Sequence, residues 1–267
     1  FFEANLLMVK VRQFSRKSNG LAFSLERVFE DIRETLPKNI EVDVYINPYQ
    51  SVGIWRRLAG VIRAALNQAD VNHITGDVNF LNILMRKRAT ILTILDCVTL
   101  ERLTGFRYKL LWFFWYWLPA KRSSVITVIS ESTKKELERH LGAGSWPIVV
   151  IPCPVSPEFT FAPKKHEHDC PKILQIGTKT NKNIERVAAA LEGLRCKMVI
   201  IGKLLPGQKA ALEENKIDYE NHFGISRDAL VGHYQNCDIV MFASLYEGFG
   251  LPILEGQAVG RPVITSN

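Results

Sequence analysis

Two carboxylates, Glu247 and Glu255, stand with seven residues between them in the run Tyr246-Glu247-Gly248-Phe249-Gly250-Leu251-Pro252-Ile253-Leu254-Glu255. Pro252 suits the opening position of a helix, because its ring presets φ and its missing N–H needs no partner there. The glycines before it let the backbone approach a ligand and aim N–H groups at an anion. This places Glu255 in the first helical turn and Glu247 on the loop, both looking into one pocket floored by a helix N-terminus. Carboxylates bond sugar hydroxyls, and helix N-termini attract phosphates. A nucleotide-sugar offers both.

A second cluster lies upstream. After the apolar run Ile173–Ile176 come Gly177-Thr178-Lys179-Thr180-Asn181-Lys182-Asn183 and then Ile184, Val187, Ala188, Leu191 and Leu194 at helical spacing. A strand-to-helix turn with a glycine and two lysines favours a diphosphate.

The acidic run resembles the glutamate–seven–glutamate motif of the retaining, GT-B-fold group 1 glycosyltransferases, which include sucrose synthases and bacterial mannosyltransferases. The likeness continues through Gly256-Gln257-Ala258-Val259-Gly260-Arg261-Pro262-Val263-Ile264-Thr265. The resemblance implies that Glu255 bonds the ribose hydroxyls and that Glu247 lies against the transferred sugar. Gly250 and Leu251 would offer N–H groups to the sugar or distal phosphate. It implies that Lys182, before Asn183, holds the donor phosphates beside Gly177. Many members carry arginine where Thr178 stands here, so either Lys179 shares that work or nothing does. Phe223-Gly224-Ile225-Ser226 resembles the turn that seats the nucleobase, with Gly224 at its centre, although Ser226 serves better as a helix cap. Ile201-Gly202-Lys203 is a further candidate for the base pocket.

In the first half, Ser15-Arg16-Lys17-Ser18-Asn19-Gly20 resembles the glycine-containing loop that closes over the phosphates, with Gly20 its single glycine. His73 ends an apolar strand, as a core histidine or a functional one. Thr93-Ile94-Leu95-Asp96-Cys97 departs from close relatives, which read Thr-Ile-His-Asp; there the histidine touches the donor sugar. Leu95 can neither hydrogen-bond nor shuttle a proton. Asp96 is retained and is assigned to ordering the acceptor side. Relatives also continue past the Val263–Thr265 strand, so the resemblance implies a C-terminal domain that is incomplete here. Glu247, Lys182 and Asp96 are thus the candidate catalytic residues.

Short apolar runs alternate with helix-period segments, which argues βαβ units and parallel sheets. Strands are expected at Leu6–Phe14, Val42–Ile46, Val71–Ile74, Thr90–Leu95, Val125–Ile129 and Ile148–Ile151, then at Ile173–Ile176, Met198–Ile201, Ile239–Phe242 and Val263–Thr265. Helices are expected at Phe23–Leu36 and Trp55–Ala69, and Thr133 with Glu136 reads as a capping box for a helix ending near Gly142. The fold class is α/β: two doubly wound, Rossmann-like domains of GT-B type facing across a cleft. Residues 1–152 form the acceptor-side domain, 153–170 a linker rich in proline and polar residues, and 171–267 the nucleotide-sugar domain.

At 267 residues and 47% hydrophobic, the chain has ample apolar content for two cores. Five widely spaced cysteines without a Cys-x-x-Cys pair fit reduced cytosolic thiols, not a disulfide framework or zinc site. The net charge of +7 is carried wholly by residues 1–152, with 21 basic against 14 acidic side chains. That asymmetry is either a solvated lysine-rich surface or contact with a membrane surface or an anionic lipid-linked acceptor. The aromatic run Leu110–Leu118 with basic flanks is too short to span a bilayer and reads as a core helix or an interfacial one.

The expected activity is retaining, metal-independent transfer of a hexose from a nucleotide-diphosphate sugar to a saccharide or lipid-linked acceptor, in bacterial surface polysaccharide or glycolipid synthesis. The expected place is the cytoplasm, peripheral at the membrane's inner face. No cofactor beyond the donor and no nucleic acid partner is expected. The rivals are a degenerate relative that binds nucleotide-sugars without transfer and a nucleotide-sugar epimerase.

Overall fold

The computed structural model describes residues 8–17, 24–49, 53–144, 146–165 and 169–266. Gly20 lies outside them. The chain divides into two compact units, Phe1–Cys153 and Pro154–Asn267.

Unit 1 is a parallel sheet of β1 (Val9–Ser15), β2 (Ile40–Ile46), β3 (Val71–Ile74), β4 (Thr90–Ile94), β5 (Val125–Val128) and β6 (Ile148–Val150), in the order β2-β1-β3-β4-β5-β6. Parallel strands need crossovers, and right-handed crossovers put opposite directions of winding on opposite faces. Helix α1 (Ser24–Glu34) therefore covers one face. Helix α2 (Ile54–Leu66), the 3-10 turn Asn79–Leu84 and the helical run from Gly105 to Lys121 cover the other. Phe14, Ile74, Leu92 and Ile126 pack with Leu81 and Leu100 in the core.

Unit 2 orders β7 (Lys172–Ile176), β8 (Lys197–Ile201), β9 (Asp218–His222), β10 (Ile239–Phe242) and β11 (Val263–Thr265) as β11-β10-β7-β8-β9, all parallel. Strand alternation splits the core between the two faces. Ile173, Met198 and Ile200 pack under the Ile184–Leu191 helix, while Leu174, Val199 and Val240 pack with Tyr234 and Val259. The strand order reverses between β7 and β10, the place where doubly wound sheets open a crevice for ligands.

Several elements differ from the sequence reading. The polar strand β9, Asp218-Tyr219-Glu220-Asn221-His222, gives no apolar signal because it is an edge strand, paired with β8 alone. The Pro206–Glu214 helix was likewise not expected. The helix over Glu131–Leu141 is capped by Ser130, whose Oγ accepts from Thr133 N at 3.1 Å; it does not open on a Thr133–Glu136 box. Of the segment expected as a linker, all but Cys153 falls in unit 2, and Phe159 is buried edge-on against Tyr234. The aromatic run is divided along its length. It is a π-helix over Trp112–Trp117 in which Tyr116 is buried while Phe113 and Phe114 are exposed.

Gly256 sets how closely the Leu251–Ala258 helix lies on the sheet. A Cβ there would come within 2.9 Å of Val240 Cγ2 and 3.1 Å of Val263 Cγ2. Gly256→Val should destabilise unit 2 by about 1–3 kcal/mol through overpacking, read as a lower urea midpoint, with Gly256→Ala giving a smaller fall.

Candidate functional site

The turn after β7 and the loop after β10 meet at the strand-order reversal. Gly177 has φ +83°, open to glycine, and a side chain there would press on the Lys182 stem, 2.9 Å from Cε. Lys182 closes a 3-10 turn over Thr180–Lys182 and reaches back across Gly177. Its Nζ bonds Glu247 Oε1 at 2.6 Å and lies 4.4 Å from the Phe242 ring centroid. Both partners of this ion pair are partly screened from solvent, with the lysine side chain 13% and the glutamate 27% exposed.

Asparagines on both sides of Lys182 hold the arrangement. Asn181 Nδ2 donates to Glu247 Oε1 at 3.0 Å and to Tyr246 O at 2.9 Å, and its own carbonyl accepts from Leu245 N. Asn183 adopts the left-handed region at φ 59°, one of the few non-glycine types that do so readily, and its side chain donates to Ala243 O. Two loops distant in sequence are thus stitched together around one lysine–carboxylate pair.

The acidic loop turns into a helix at Gly250, whose φ of +93° disfavours any L side chain. The helix spans Leu251–Ala258, with Pro252 at its second position. Glu255 is consequently the fifth helical residue, beyond the first turn where sequence placed it, so a helix-dipole role no longer accounts for it. The leading N–H groups of this helix, Leu251 among them, have no intrahelical acceptor by construction. Glu255 is buried, and its Oε2 accepts a short hydrogen bond from Tyr234 Oη. Burial raises the Glu255 carboxyl above its usual range, against the lowering influence of the Tyr234 bond, Arg227 and Lys182. Oε1 has no hydrogen-bond partner among the described residues.

Other assigned residues fall into different settings. Thr178 is structural: its Oγ1 donates to Lys203 O, and its carbonyl accepts from buried Gln208. Lys179 is exposed at the start of the 3-10 turn. Gly224 lies in an exposed turn at φ +65°, and Ser226 caps the following helix by accepting from Ala229 N. The roles of Asn181, Tyr234 and Phe242 in this site leave no mark in the sequence. Tyr234 is 21 residues from its carboxylate, and no local spacing reports that pairing.

In unit 1, Leu95 and Asp96 line a pocket of about 210 Å³ with Gly76, Asp77, Trp115 and Tyr116. Asp96 Oδ1 accepts from Val98 N at 3.1 Å, and Asp77 pairs with Arg16 at 2.7 Å. His73 is a core histidine: it bonds Thr93 Oγ1 at 2.7 Å, packs edge-on against Phe29, and burial lowers its pKa to about 4.

Residues 16–159 match the model of Glycosyltransferase Family 4, and residues 157–267 match that of Glycosyl transferases group 1. The chain belongs to Glycosyltransferase Family 4, and its second half carries the group 1 match. A serotype-specific mannosyltransferase, WbdA of Escherichia coli, is 28% identical over 175 residues, covering 55% of this chain and 21% of that protein. The chain thus spans about a fifth of the length of the curated relatives it matches. Its fold is shared with solved structures at 13–15% identity, each alignment covering 96% of this chain. These include Anabaena HepE in complex with UDP and glucose (TM-score 0.68, 80% of that chain). WaaG, a glycosyltransferase involved in lipopolysaccharide biosynthesis, has a TM-score of 0.71 over 80% of its chain. The sucrose-phosphate synthase of Thermosynechococcus elongatus has 0.75 over 81%. The GT-B architecture of two parallel-sheet α/β domains is therefore established for this chain.

Burial of Glu255 has a pH signature. Its folded pKa lies above the unfolded value, so the folded state holds the extra proton and stability falls as pH rises through that window. Glu255→Gln keeps an acceptor for Tyr234 without the charge. Chemical denaturation should find it more stable than the parent at pH 8, with the difference gone by pH 4.

Proposed function

We propose that the chain is a retaining, metal-independent glycosyltransferase that moves a hexose from a nucleotide-diphosphate sugar to an acceptor hydroxyl. The observation that carries this reading is the convergence of Lys182, Asn181 and Glu247 at the strand-order reversal of unit 2, beside a helix N-terminus and the buried Glu255. Glu255 Oε1 is the ribose acceptor. Lys182, with Lys179 at the rim, takes the diphosphate, and the N–H groups of Gly250 and Leu251 take the sugar or distal phosphate. Gly177 gives that diphosphate backbone access, and Gly224 lies at the base. A UDP-bound structural neighbour supports a nucleotide as the ligand class.

In the transfer, the bond between the sugar's anomeric carbon and the diphosphate oxygen breaks. A bond to the acceptor oxygen forms on the same face, and the acceptor proton passes to the departing diphosphate. Lys182 and the helix N-terminus stabilise the charge that develops on the leaving group, and this preorganised electrostatics replaces a metal. Glu247 shifts from Lys182 to the sugar when the phosphate claims the lysine. Asp96 in unit 1 orders the acceptor. The acceptor is a growing surface polysaccharide or lipid-linked saccharide, in line with the mannosyltransferase and lipopolysaccharide relatives, and the basic first unit brings the enzyme to the inner membrane surface.

Lys182→Ala should weaken UDP or GDP far more than the parent nucleosides in calorimetric titrations, by on the order of 1.5–3 kcal/mol for a lost charged hydrogen bond. Equal losses for diphosphate and nucleoside would remove the phosphate role.

Leu95 motivates a second reading, a binder of nucleotide-sugars without turnover, since an alkyl side chain lines the unit 1 pocket beside Asp96. Leu95→His should raise turnover of a nucleotide-sugar severalfold while leaving nucleotide affinity unchanged. Hydrolysis and transfer assays check this. Full transfer by the parent chain would instead show that the leucine costs nothing.

A further inference from the structure

Helix α2 wears its apolar side outward. Toward the core it presents small residues, Gly60, Val61 and Ala64. Toward solvent it presents Ile54, Trp55, Leu58, Ile62 and Leu66, each between 48% and 80% exposed. At 100° per residue these five fall within an arc of about 120°. Leaving such a stripe in water forgoes roughly 25 cal/mol per Å² of apolar surface, so the face calls for an occupant.

Charge identifies the occupant. On the α2 face of the unit 1 sheet, residues 53–66, 79–89 and 102–122 hold eleven basic residues and no carboxylate, while the 131–141 helix beside them balances three glutamates with Lys134, Lys135 and Arg139. The segments are physically joined there. α2 packs on the 79–84 turn, that turn packs on the Trp112–Trp117 segment, and the Arg57 guanidinium sits 4.6 Å from the Trp115 ring centroid. The aromatic segment adds exposed Phe106, Leu110, Phe113 and Phe114. A second copy is a poor match for this face. Two-fold pairing through α2 would set its arginines against each other, and α2 itself carries no acid to receive them. A surface that is apolar within and anionic at its rim fits on both counts.

We propose that α2 docks on an anionic phospholipid bilayer. Its Ile54-to-Leu66 stripe lies among the upper acyl chains, Trp55 sits at the interface, and Arg56 and Arg63 meet headgroup phosphates. This rests on the membrane-surface part of the function proposed above and names the surface that makes the contact. The helix lies in the plane of the interface; at 13 residues it is too short to cross.

Vesicle flotation of the full chain tests this with phosphatidylglycerol–phosphatidylcholine vesicles and with pure phosphatidylcholine vesicles. The parent should float with the anionic vesicles, at least tenfold less with neutral ones, and progressively less as salt rises. Leu58→Glu/Ile62→Glu should cut anionic-vesicle binding at least tenfold with thermal melting and UDP titration unchanged. Trp55→Ser, at an 80% exposed site that folding does not depend on, should give a several-fold loss and covers the case in which the double variant misfolds. Leu194→Glu, equally apolar and exposed but in unit 2, should bind like the parent. Parent-like binding by both α2 variants would overturn the assignment to α2. No vesicle binding by the parent would overturn membrane docking altogether, while leaving the UDP titration to judge the donor site. Concentration-dependent dimerisation abolished by Leu58→Glu/Ile62→Glu, without vesicle binding, would assign the face to a second copy.

Discussion

The ion pair between Lys182 and Glu247 depends on a topological fact and organises everything around it. Parallel strands wound in opposite directions from β7 leave a gap between the loops that follow β7 and β10, since no crossover covers it. A lysine from one loop and a carboxylate from the other fill that gap at 2.6 Å. Partly withdrawn from water, the pair has a stronger mutual attraction than it would on the surface, yet it is open enough to be remade. In the function proposed above, an incoming diphosphate brings more negative charge than one carboxylate and would outcompete Glu247 for Lys182, and a sugar hydroxyl would then supply the carboxylate with a new donor. Asn181 bonds the same carboxylate oxygen, so the loop geometry has a second hold while the lysine changes partners.

Glu255 presents the opposite economy. Its charge is buried, its single internal bond comes from Tyr234, and its remaining oxygen has no protein partner among the described residues. An apolar residue in the same place would spare the fold this desolvation cost. Its neighbours reduce the penalty without removing it: Tyr234 donates to it, while Arg227, itself paired with Glu158 at 2.7 Å and stacked over Phe159, contributes from further away. Glu158 and Phe159 thereby hold the guanidinium whose charge reaches the second unit's acid.

Most strands were legible because both faces of a parallel sheet are covered, so its strands read as unbroken apolar runs. Ile173–Ile176 and Ile239–Phe242 are of this kind. β9 was not legible because an edge strand with partly exposed residues has no apolar run to show. The site was legible where local backbone demands leave marks, at Gly177, Gly250 and Pro252. Glu255 falls one residue further along its helix than the sequence suggests, just past the first turn, because a proline fits either of the first two positions and the start of the helix shifts with it. Tyr234 and Asn181 were invisible for a different reason. Their roles come from tertiary approach over 21 and 66 residues, and nothing in their own neighbourhoods requires a tyrosine or an asparagine.

The two units divide their electrostatics in a way that follows from these roles. Unit 2 balances its charges, and its key lysine is already neutralised by a carboxylate, which favours selective recognition of a strongly anionic ligand over indiscriminate attraction. Unit 1 does the reverse. It gathers a cationic excess on the α2 side of its sheet, where the 53–66, 79–89 and 102–122 segments carry no carboxylate and the 131–141 helix balances three glutamates with three basic residues. Long-range attraction needs such an excess of one sign, whereas a specific pocket needs charge held in check until the ligand arrives. Asp77 follows the second logic inside unit 1: beside the pocket that holds Leu95 and Asp96, it is paired with Arg16, so that pocket does not repel an anionic substrate as strongly as its carboxylates alone would.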